Sequence, residues 1–426
     1  MNNFKPYLDF IDSQLEHMKQ LTYDWSKINS GSYNLQGLEK MLGVLRDNFY
    51  WLGAEMEEIA LPPTQSVDAN GEVVEVALGK ALRLRKRPDA KFQVFLGGHY
   101  DTVFGVNHSF QTPKLIGDNI INGPGVADLK GGLVVMLKAL EALEQSPFAE
   151  NIGFEILLNP DEEIGSVGSD FLLREAASRN HIGLIYEPSL PDGTLVGERK
   201  GTGNFVLVVR GKSAHAGREH HLGRNAVVRA AQIACRLNDL NSAQNAPQNE
   251  VQSNSQNNSQ NETNINSGLT INVAKIEGGS ALNVVPDLAI IRFNVRVINH
   301  QQQDFVMSEL RRIISDFADN DYQLQLHGGF TRPAKTITAR DEKLWNALRE
   351  TGAMLDIPIN HVASGGCCDG NNMAAYGLSN IDTLGVRGGA IHSDQEYILL
   401  DSLSERAKLS ALLLMRIASG EISIPL

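Results

Sequence analysis

The chain has 426 residues, of which 42% are hydrophobic and 21% charged, values typical of a globular protein with two or three domains. Its 50 acidic residues outnumber its 38 Lys and Arg residues, which gives a formal net charge of −12 at pH 7. An acidic chain without a Lys/Arg-rich run is poorly suited to bind a phosphate backbone. We therefore expect no nucleic-acid partner.

The three cysteines are too few for a disulfide scaffold, and Cys235, Cys367 and Cys368 lack the spacing of a CxxC or zinc-finger motif. The N-terminus has no basic segment followed by an apolar one, and the sequence has no run of about 18 apolar residues. These features predict a cytoplasmic protein with no membrane partner.

Hydrophobic periodicity predicts helices over 8–18 and 38–45, at the start of the chain. Apolar strands are predicted at 92–96, 152–158 and 182–186, with a helix at 133–143 between the first two. Strands that alternate with helices indicate an α/β sheet covered by helices.

A different pattern begins near residue 201, where strands at 204–210, 269–276 and 289–297 and helices at 223–240 and 305–317 indicate an α+β block. Helices around Leu344 and after Ser402 return to the first pattern. We predict a larger domain of residues 1–200 and 332–426, into which a smaller domain of residues 201–331 is inserted.

Within the inserted domain, residues 241–266 are almost all Asn, Gln, Ser, Thr, Ala and Glu. Such a segment buries too little apolar surface to offset its ordering entropy, about 1–2 kcal/mol per residue. We expect a flexible loop there, and contact with a partner is the alternative.

The strongest chemical signal is GHYDTV, which follows the strand at 92–96 and contains His99 and Asp101. In an extended backbone two residues at this spacing lie on the same side, so Asp101 can hold one imidazole nitrogen while the other meets a metal. A His-x-Asp pair by itself is more often structural.

Further acidic and histidine side chains follow other predicted strands or lie in Gly-rich turns: Asp128, Glu162, Glu163, Glu187 and His392. Singly, each would more often be a surface or structural residue. Together they predict a metal site, because carboxylate and imidazole ligands suit zinc, and also cobalt or manganese. Two metals that share a carboxylate could activate a water and polarise a carbonyl, and Glu162 is then available as the general base.

The motifs GHYDTV, NGPGVADLKGG, NPDEEIGS, YEP, GKSAHAG and GGAIHSDQE, in this order, resemble those of the di-zinc aminoacylase and carboxypeptidase G family of hydrolases. This family includes acetylornithine deacetylase and succinyl-diaminopimelate desuccinylase, and the resemblance spans nearly the whole chain. It implies an α/β, mixed-sheet zinc-peptidase catalytic domain. It also implies that the inserted α+β domain is ferredoxin-like and serves as a lid and dimerisation domain, hence a homodimer.

The resemblance implies two Zn²⁺ ions, with Co²⁺ or Mn²⁺ as substitutes, and a set of residue roles. His99, Asp128 and Glu187 would bind one ion, and Asp128, Glu163 and His392 the other. Glu162 falls on the catalytic base and Asp101 on the residue that orients the first histidine. The peptide bond after Asp128 is implied to be cis.

In the inserted domain, His215 falls on the lid histidine that reaches a neighbouring subunit's active site and stabilises an oxyanion. Asn283 and Arg296 fall on positions that bind the substrate carboxylate, a task suited to the planar fork of Arg. The alternatives are a surface histidine, a strand-end hydrogen bond and a surface ion pair. Cys368 departs from the pattern, which has Ser or Thr before Asp369; it is either an inert buried thiol or a redox-sensitive group.

The predicted reaction is hydrolysis of an amide bond next to a free carboxylate by metal-activated hydroxide. The carboxypeptidase branch is the most similar, so the substrate would be a small peptide that releases a C-terminal amino acid, for instance glutamate. Deacylation of an N-acyl amino acid is the alternative, and a catalytically silent metal-binding protein is a remote one.

Overall fold

The computed structural model describes residues 1–242 and 268–424. Its α-helices are α1 Lys5–Ser13, α2 Leu15–Ser26, α3 Leu35–Phe49, α4 Gly131–Glu144, α5 Asp170–Arg179, α6 Ala226–Ser242, α7 His300–Phe317, α8 Ala339–Ala353, α9 Asp369–Ala375 and α10 Ser402–Ala418. Its strands are β1 Glu55–Ala60, β2 Thr64–Val67, β3 Val73–Val76, β4 Lys80–Lys86, β5 Gln93–His99, β6 Lys114–Ile116, β7 Ile120–Asn122, β8 Gly153–Asn159, β9 Ile182–Ile185, β10 Leu195–Arg199, β11 Gly201–Arg210, β12 Ala214–His215, β13 Thr270–Gly278, β14 Val284–Val285, β15 Leu288–Val297, β16 Gln323–Arg332, β17 His361–Ser364, β18 Asn380–Ile381, β19 Gly388–Gly389 and β20 Tyr397–Leu399.

The helices and strands predicted from periodicity are confirmed with small shifts of their ends, except that residues 8–18 belong to two helices, which separate at Gln14. The predicted Asn/Gln-rich loop lies, from residue 243 onward, outside the described residues. Within the described ranges, none of the helices combines the length and the apolar character needed to cross a lipid bilayer.

The chain folds into two compact units. The first comprises Met1–Thr64, Ala77–Arg199 and Lys335–Leu426, and the second comprises Gln65–Val76 and Lys200–Ala334.

The main sheet of the first unit is mixed, with strand order β1-β4-β8-β5-β9-β18. Strand β5 is parallel to its neighbours β8 and β9, whereas β4 is antiparallel to both of its neighbours, β1 and β8. Alternate side chains of β5 enter cores on opposite faces: Val94 and Leu96 pack in the core that contains α4 and α10, and Phe95 packs with Leu172 of α5. Helices thus cover both faces of the parallel strands.

Helix α4 packs closely under this sheet because it begins with two glycines. A Cβ atom on Gly132 would lie 2.1 Å from the backbone oxygen of Tyr186. The glycine therefore allows the start of α4 to approach the end of β9, next to Glu187.

The second unit contains an antiparallel sheet of order β13-β15-β11-β16. Its chain order, β11-α6-β13-β15-α7-β16, is the β-α-β-β-α-β arrangement of a ferredoxin-like fold. Phe205, Leu207 and Val209 alternate along β11 and share one core with Ile233 of α6 and Val306 of α7. The predicted ferredoxin-like α+β block is confirmed.

The hairpin β2–β3 also belongs to the second unit, whereas the sequence placed residues 65–76 in the larger domain. Arg210 Nη2 donates to the backbone oxygens of Asn70 and Gly71 at 3.1 and 3.2 Å, and Arg292 Nη2 donates to that of Val67 at 2.7 Å. A turn that bonds to two arginines far along the chain leaves no local sequence signal.

A buried ion cluster lies where the chain leaves the first unit and returns to it. Arg199, the last residue of β10, and Lys335 exchange backbone hydrogen bonds at 2.9 Å. Both side chains pair with the fully buried Asp382, with Arg199 Nη2 2.9 Å from Oδ1 and Lys335 Nζ 2.6 Å from Oδ2. Burial alone would raise the pKa of Asp382, but the two cations outweigh it and lower the pKa to about 2.

We expect Asp382→Asn to lower the free energy of unfolding at pH 7 by about 3–5 kcal/mol, because it leaves two buried cations without their anion. Since the folded-state pKa of Asp382 lies below its unfolded value, its stabilisation is complete above about pH 4 and is lost as the pH falls towards about 2. Urea unfolding over this range measures both effects.

The control is Asp401→Asn, which removes an exposed ion pair with Arg387 and should cost little. Equal losses in the two variants would contradict a special role for the buried cluster.

Candidate metal centre

The candidate ligands of the first unit converge because they follow adjacent parallel strands. His99 ends β5, and the register pairs it with Asn159 at the end of β8, just before Glu162 and Glu163. Strand β9 lies on the other side of β5 and leads to Glu187. The carboxyl ends of parallel strands meet at one edge, where open α/β sheets bind ligands.

Asp128 lies between the two histidines. Its Oδ1 is 2.9 Å from His99 Nε2, and its Oδ2 is 3.2 Å from His392 Nε2. His392 Nε2 is also 3.2 Å from Glu163 Oε2, and His99 Nε2 is 3.8 Å from Glu187 Oε1. The structure thus brings together all five predicted ligands, with one carboxylate in contact with both imidazoles.

These side chains fit a divalent metal. Ligand atoms of His99, Asp128 and Glu163 all lie within 4.8 Å of one another. Oε1 of Glu187 is buried in the same cluster and has no hydrogen-bond partner among the residues that the structure describes, which is costly for a carboxylate unless it meets a cation.

The electrostatics of the cluster point the same way. Burial raises the pKa of Glu163 to about 8, and the charge of Asp128 adds to the effect. Burial and Asp128 likewise raise the pKa of Glu187 well above its ordinary value. Hydrogen bonds to Asp128 and Glu163 raise the pKa of His392 to about 11. The crowded carboxylates therefore require positive charge, which protons or a metal can provide.

Asp101 occupies the predicted orienting position. Its backbone oxygen is 3.0 Å and its Oδ1 3.3 Å from His99 Nδ1. The same carboxylate accepts hydrogen bonds from the backbone N–H groups of Glu162 and Glu163, both at 3.2 Å. One buried side chain thus orients a histidine and fixes the acidic loop.

The Asp128–Leu129 peptide bond is cis, as the resemblance implied. Cys368 is buried at the N-cap of α9, where its Sγ accepts a hydrogen bond from the N–H of Gly370 at 3.3 Å. Burial raises the pKa of this thiol well above its ordinary value. This favours the inert thiol over a redox-sensitive one, since the reactive form is the thiolate.

The other three predicted residues lie in the second unit. His215 is exposed on β12 and pairs with Val284 of β14, next to the exposed Asn283. Arg296 lies near the far end of β15, opposite Thr202. The second unit therefore brings His215 and Asn283 together, but it does not bring Arg296 to them.

Two residues to which the sequence analysis gave no role form hydrogen bonds to a residue or a turn that holds a candidate ligand. The hydroxyl of Ser32 donates to Asp101 Oδ2 at 2.7 Å. The carboxylate of Glu396 accepts backbone hydrogen bonds from the turn that carries Asp128. Glu396 lies four residues after His392, and this proximity to a ligand is the one signal that could have indicated it.

Comparison with known proteins decides the family. Residues 95–416 match the model of the peptidase family M20/M25/M40. The chain belongs to this family. It is therefore a metal-dependent hydrolase of the peptidase and amidohydrolase type, as the motifs predicted.

Two curated M20-type relatives cover most of the chain. Carboxypeptidase G2 of Pseudomonas sp. (strain RS-16) is 28% identical over 385 residues, which are 87% of this chain and 84% of that protein. Succinyl-diaminopimelate desuccinylase of Psychrobacter arcticus is 25% identical over 358 residues, 80% of this chain and 81% of that protein. The relatives thus include a carboxypeptidase and a desuccinylase.

Solved structures confirm the M20 fold. Human carnosine dipeptidase 1 superimposes with a TM-score of 0.72 at 16% identity, covering 98% of this chain and 100% of that chain. An M20 family metallo-carboxypeptidase of Sulfolobus solfataricus gives a TM-score of 0.71 at 18% identity, covering 94% and 99%.

The contacts of Asp128 predict a ranking of metal loss. Asp128→Asn should remove more bound metal than Glu163→Gln, because Asp128 contacts both histidines and Glu163 contacts one. Elemental analysis after dialysis against limiting Zn²⁺ measures the metal per chain.

Glu155→Gln is the control, since Glu155 is equally buried but pairs with Arg179 away from the ligands. Retention of full metal by Asp128→Asn would show that Asp128 is not a ligand.

Proposed function

We propose that this M20 protein is a di-zinc hydrolase that cleaves an amide bond next to a free carboxylate. The proposed activity is carboxypeptidase-like and releases a C-terminal amino acid, with glutamate as the first candidate. The observation that carries it is the single cluster of His99, Asp128, Glu163, Glu187 and His392, with Asp128 between the imidazoles.

In this proposal His99, Asp128 and Glu187 hold one ion, and Asp128, Glu163 and His392 hold the other. The 3.8 Å approach of Glu187 to His99 and the 3.2 Å approach of Glu163 to His392 support this division. Two bound ions supply positive charge that polarises the scissile carbonyl and lowers the pKa of a water. Co²⁺ or Mn²⁺ could replace Zn²⁺ with this ligand set.

Glu162 is the proposed general base. Its backbone N–H donates to Asp101, its side chain is largely buried, and it directly precedes Glu163 in the acidic loop. Glu162 would take a proton from the attacking water and then pass it to the leaving nitrogen. Asp101 would keep His99 in the orientation that presents Nε2 to the cluster.

His215 is the proposed oxyanion donor. Its Nδ1 accepts hydrogen bonds from the backbone N–H groups of Gly217 at 3.1 Å and Arg218 at 3.2 Å. A neutral imidazole that accepts at Nδ1 carries its proton on Nε2. His215 is therefore preset to donate from Nε2 to a developing oxyanion.

Asn283 and Arg296 are the proposed contacts of the substrate carboxylate. Strand β15 begins at Leu288, five residues after Asn283, and Arg296 lies eight residues further along the strand. At about 3.4 Å per residue this is about 27 Å, whereas a dipeptide spans only about 7 Å. This separation along β15 supports a homodimer in which His215 and Asn283 serve the partner's site.

Deacylation of an N-acyl amino acid is the second candidate, favoured by the desuccinylases among the relatives. It would use the same residues and differ in which side of the amide bond carries the recognised group. A silent metal-binding protein would retain the cluster without turnover.

The test is product analysis. We expect zinc-reconstituted protein to release a free amino acid from dipeptides that end in Glu or Asp, identified by mass spectrometry. Glu162→Gln should retain its metal but lose about 10²–10⁴-fold in kcat, because it can no longer accept a proton.

Glu175→Gln, which changes an exposed carboxylate of α5, should turn over like the wild type. Release only from N-acyl amino acids would select the deacylase. No cleavage of any substrate by metal-loaded protein would refute the proposed reaction.

Mixed dimers test whether His215 acts on the partner. His215→Ala and Glu162→Gln should each be nearly inactive, but a heterodimer has one site with both groups intact. Random mixing should then restore about a quarter of wild-type activity, since half of the dimers have one working site. Absence of recovery in verified heterodimers would show that His215 acts within its own chain or not at all.

A further inference from the structure

A fully buried carboxylate, that of Glu396, lies beside the metal centre without being one of its five proposed ligands. Its side chain is 0% exposed. Oε1 accepts hydrogen bonds from the backbone N–H groups of Ala127 at 2.9 Å and Asp128 at 3.0 Å, and Oε2 accepts one from Gly125 at 3.1 Å. Three backbone donors of one turn thus converge on a single side chain.

This turn has few bonds of its own. Val126 N–H donates to Gly123 at 3.3 Å and Lys130 N–H to Gly125 at 2.8 Å, and Gly125 has a left-handed backbone with φ of 71°. Ala127 and Asp128 are buried, so without Glu396 their N–H groups would lack an acceptor. The turn geometry therefore depends on the Glu396 carboxylate.

The backbone of Glu396 ties the same turn to the loop that carries His392. Its carbonyl oxygen accepts from Gly123 N–H at 3.1 Å and from Asn122 Nδ2 at 2.8 Å, and its own N–H donates to Ser393 at 3.2 Å. Strand β20, which begins at the next residue, pairs with β7. Two ligand-bearing loops, distant in sequence, are thus fixed to each other at one residue.

From this geometry we infer that Glu396 is a positioning residue, whose carboxylate holds the Asp128 turn so that Asp128 meets both His99 and His392. It acts through the backbone of a ligand and touches neither metal nor substrate. The inference rests on the proposed metal centre, and its consequence is that metal affinity depends on a residue outside the ligand set.

The test measures metal binding without substrate. Co²⁺ is titrated into metal-free wild type, Glu396→Gln and Glu396→Ala by calorimetry, and the visible absorption of bound Co²⁺ reports the geometry of its ligands. Glu396→Ala should bind Co²⁺ about 10- to 100-fold more weakly, as when the outer partners of metal ligands are removed, and should change the spectrum. Glu396→Gln should be intermediate, because its amide oxygen can accept at the Oε1 position while its NH₂ group cannot accept from Gly125.

Glu155→Gln is the matched control, because it changes another buried carboxylate of the same unit that pairs with Arg179. It should keep the wild-type affinity and spectrum even if its melting temperature falls. If Glu396→Ala does not fold, the comparison of Glu396→Gln with Glu155→Gln decides.

Unchanged Co²⁺ affinity and spectrum in the folded Glu396 variants would overturn the inference and leave Glu396 a purely structural residue. Failure of the proposed hydrolysis is distinguishable, because it would appear as an inactive wild type whose Co²⁺ binding still depends on Glu396.

Discussion

Electrostatic repulsion among buried carboxylates is the main physical constraint on the candidate metal centre. The charge of Asp128 adds to the effect of burial in raising the pKa of Glu163 and of Glu187, and the charge of Glu162 adds to both. Such a group is unfavourable in a low-dielectric interior unless cations offset it. The arrangement therefore lowers the stability of the metal-free fold and raises its affinity for a divalent ion, because concentrated negative charge attracts such an ion strongly.

Other buried carboxylates hold the loops of this cluster in place by accepting hydrogen bonds from their backbone N–H groups. Asp101 accepts from the N–H groups of Glu162 and Glu163, and Glu396 accepts from those of Ala127 and Asp128. Asp161 plays a similar part, since its Oδ2 accepts from Gly168 and Ser169. The Asp128 turn and the acidic loop after β8 are thus stabilised by buried carboxylates that accept hydrogen bonds from their backbone N–H groups, as expected of the outer partners of metal ligands.

Sequence reasoning indicated the candidate ligands, which the structure brings together, and the fold class, because both leave local signals. Apolar strands that end in His99, in the acidic triplet and at Glu187 reveal the sheet edge, and the alternation along β11 and β15 reveals the second sheet. No local pattern indicated that the 65–76 hairpin packs with the second unit, or that Glu396 bonds to the Asp128 turn. Both segments are held by hydrogen bonds to residues far along the chain, from Arg210 to Gly71 and from Gly125 to Glu396. Such partners can be identified only once the fold is known.

The position of Arg296 shows how a family pattern and a fold constrain each other. The resemblance implies that His215, Asn283 and Arg296 act on one substrate, yet Arg296 lies near the end of β15, whereas Asn283 precedes the start of that strand. A dipeptide spans only about 7 Å, so the three proposed roles fit best if they are divided between copies of the chain. Under the proposed roles, assembly would be a requirement of the proposed chemistry, because a lone chain would lack either the oxyanion donor or the carboxylate contact.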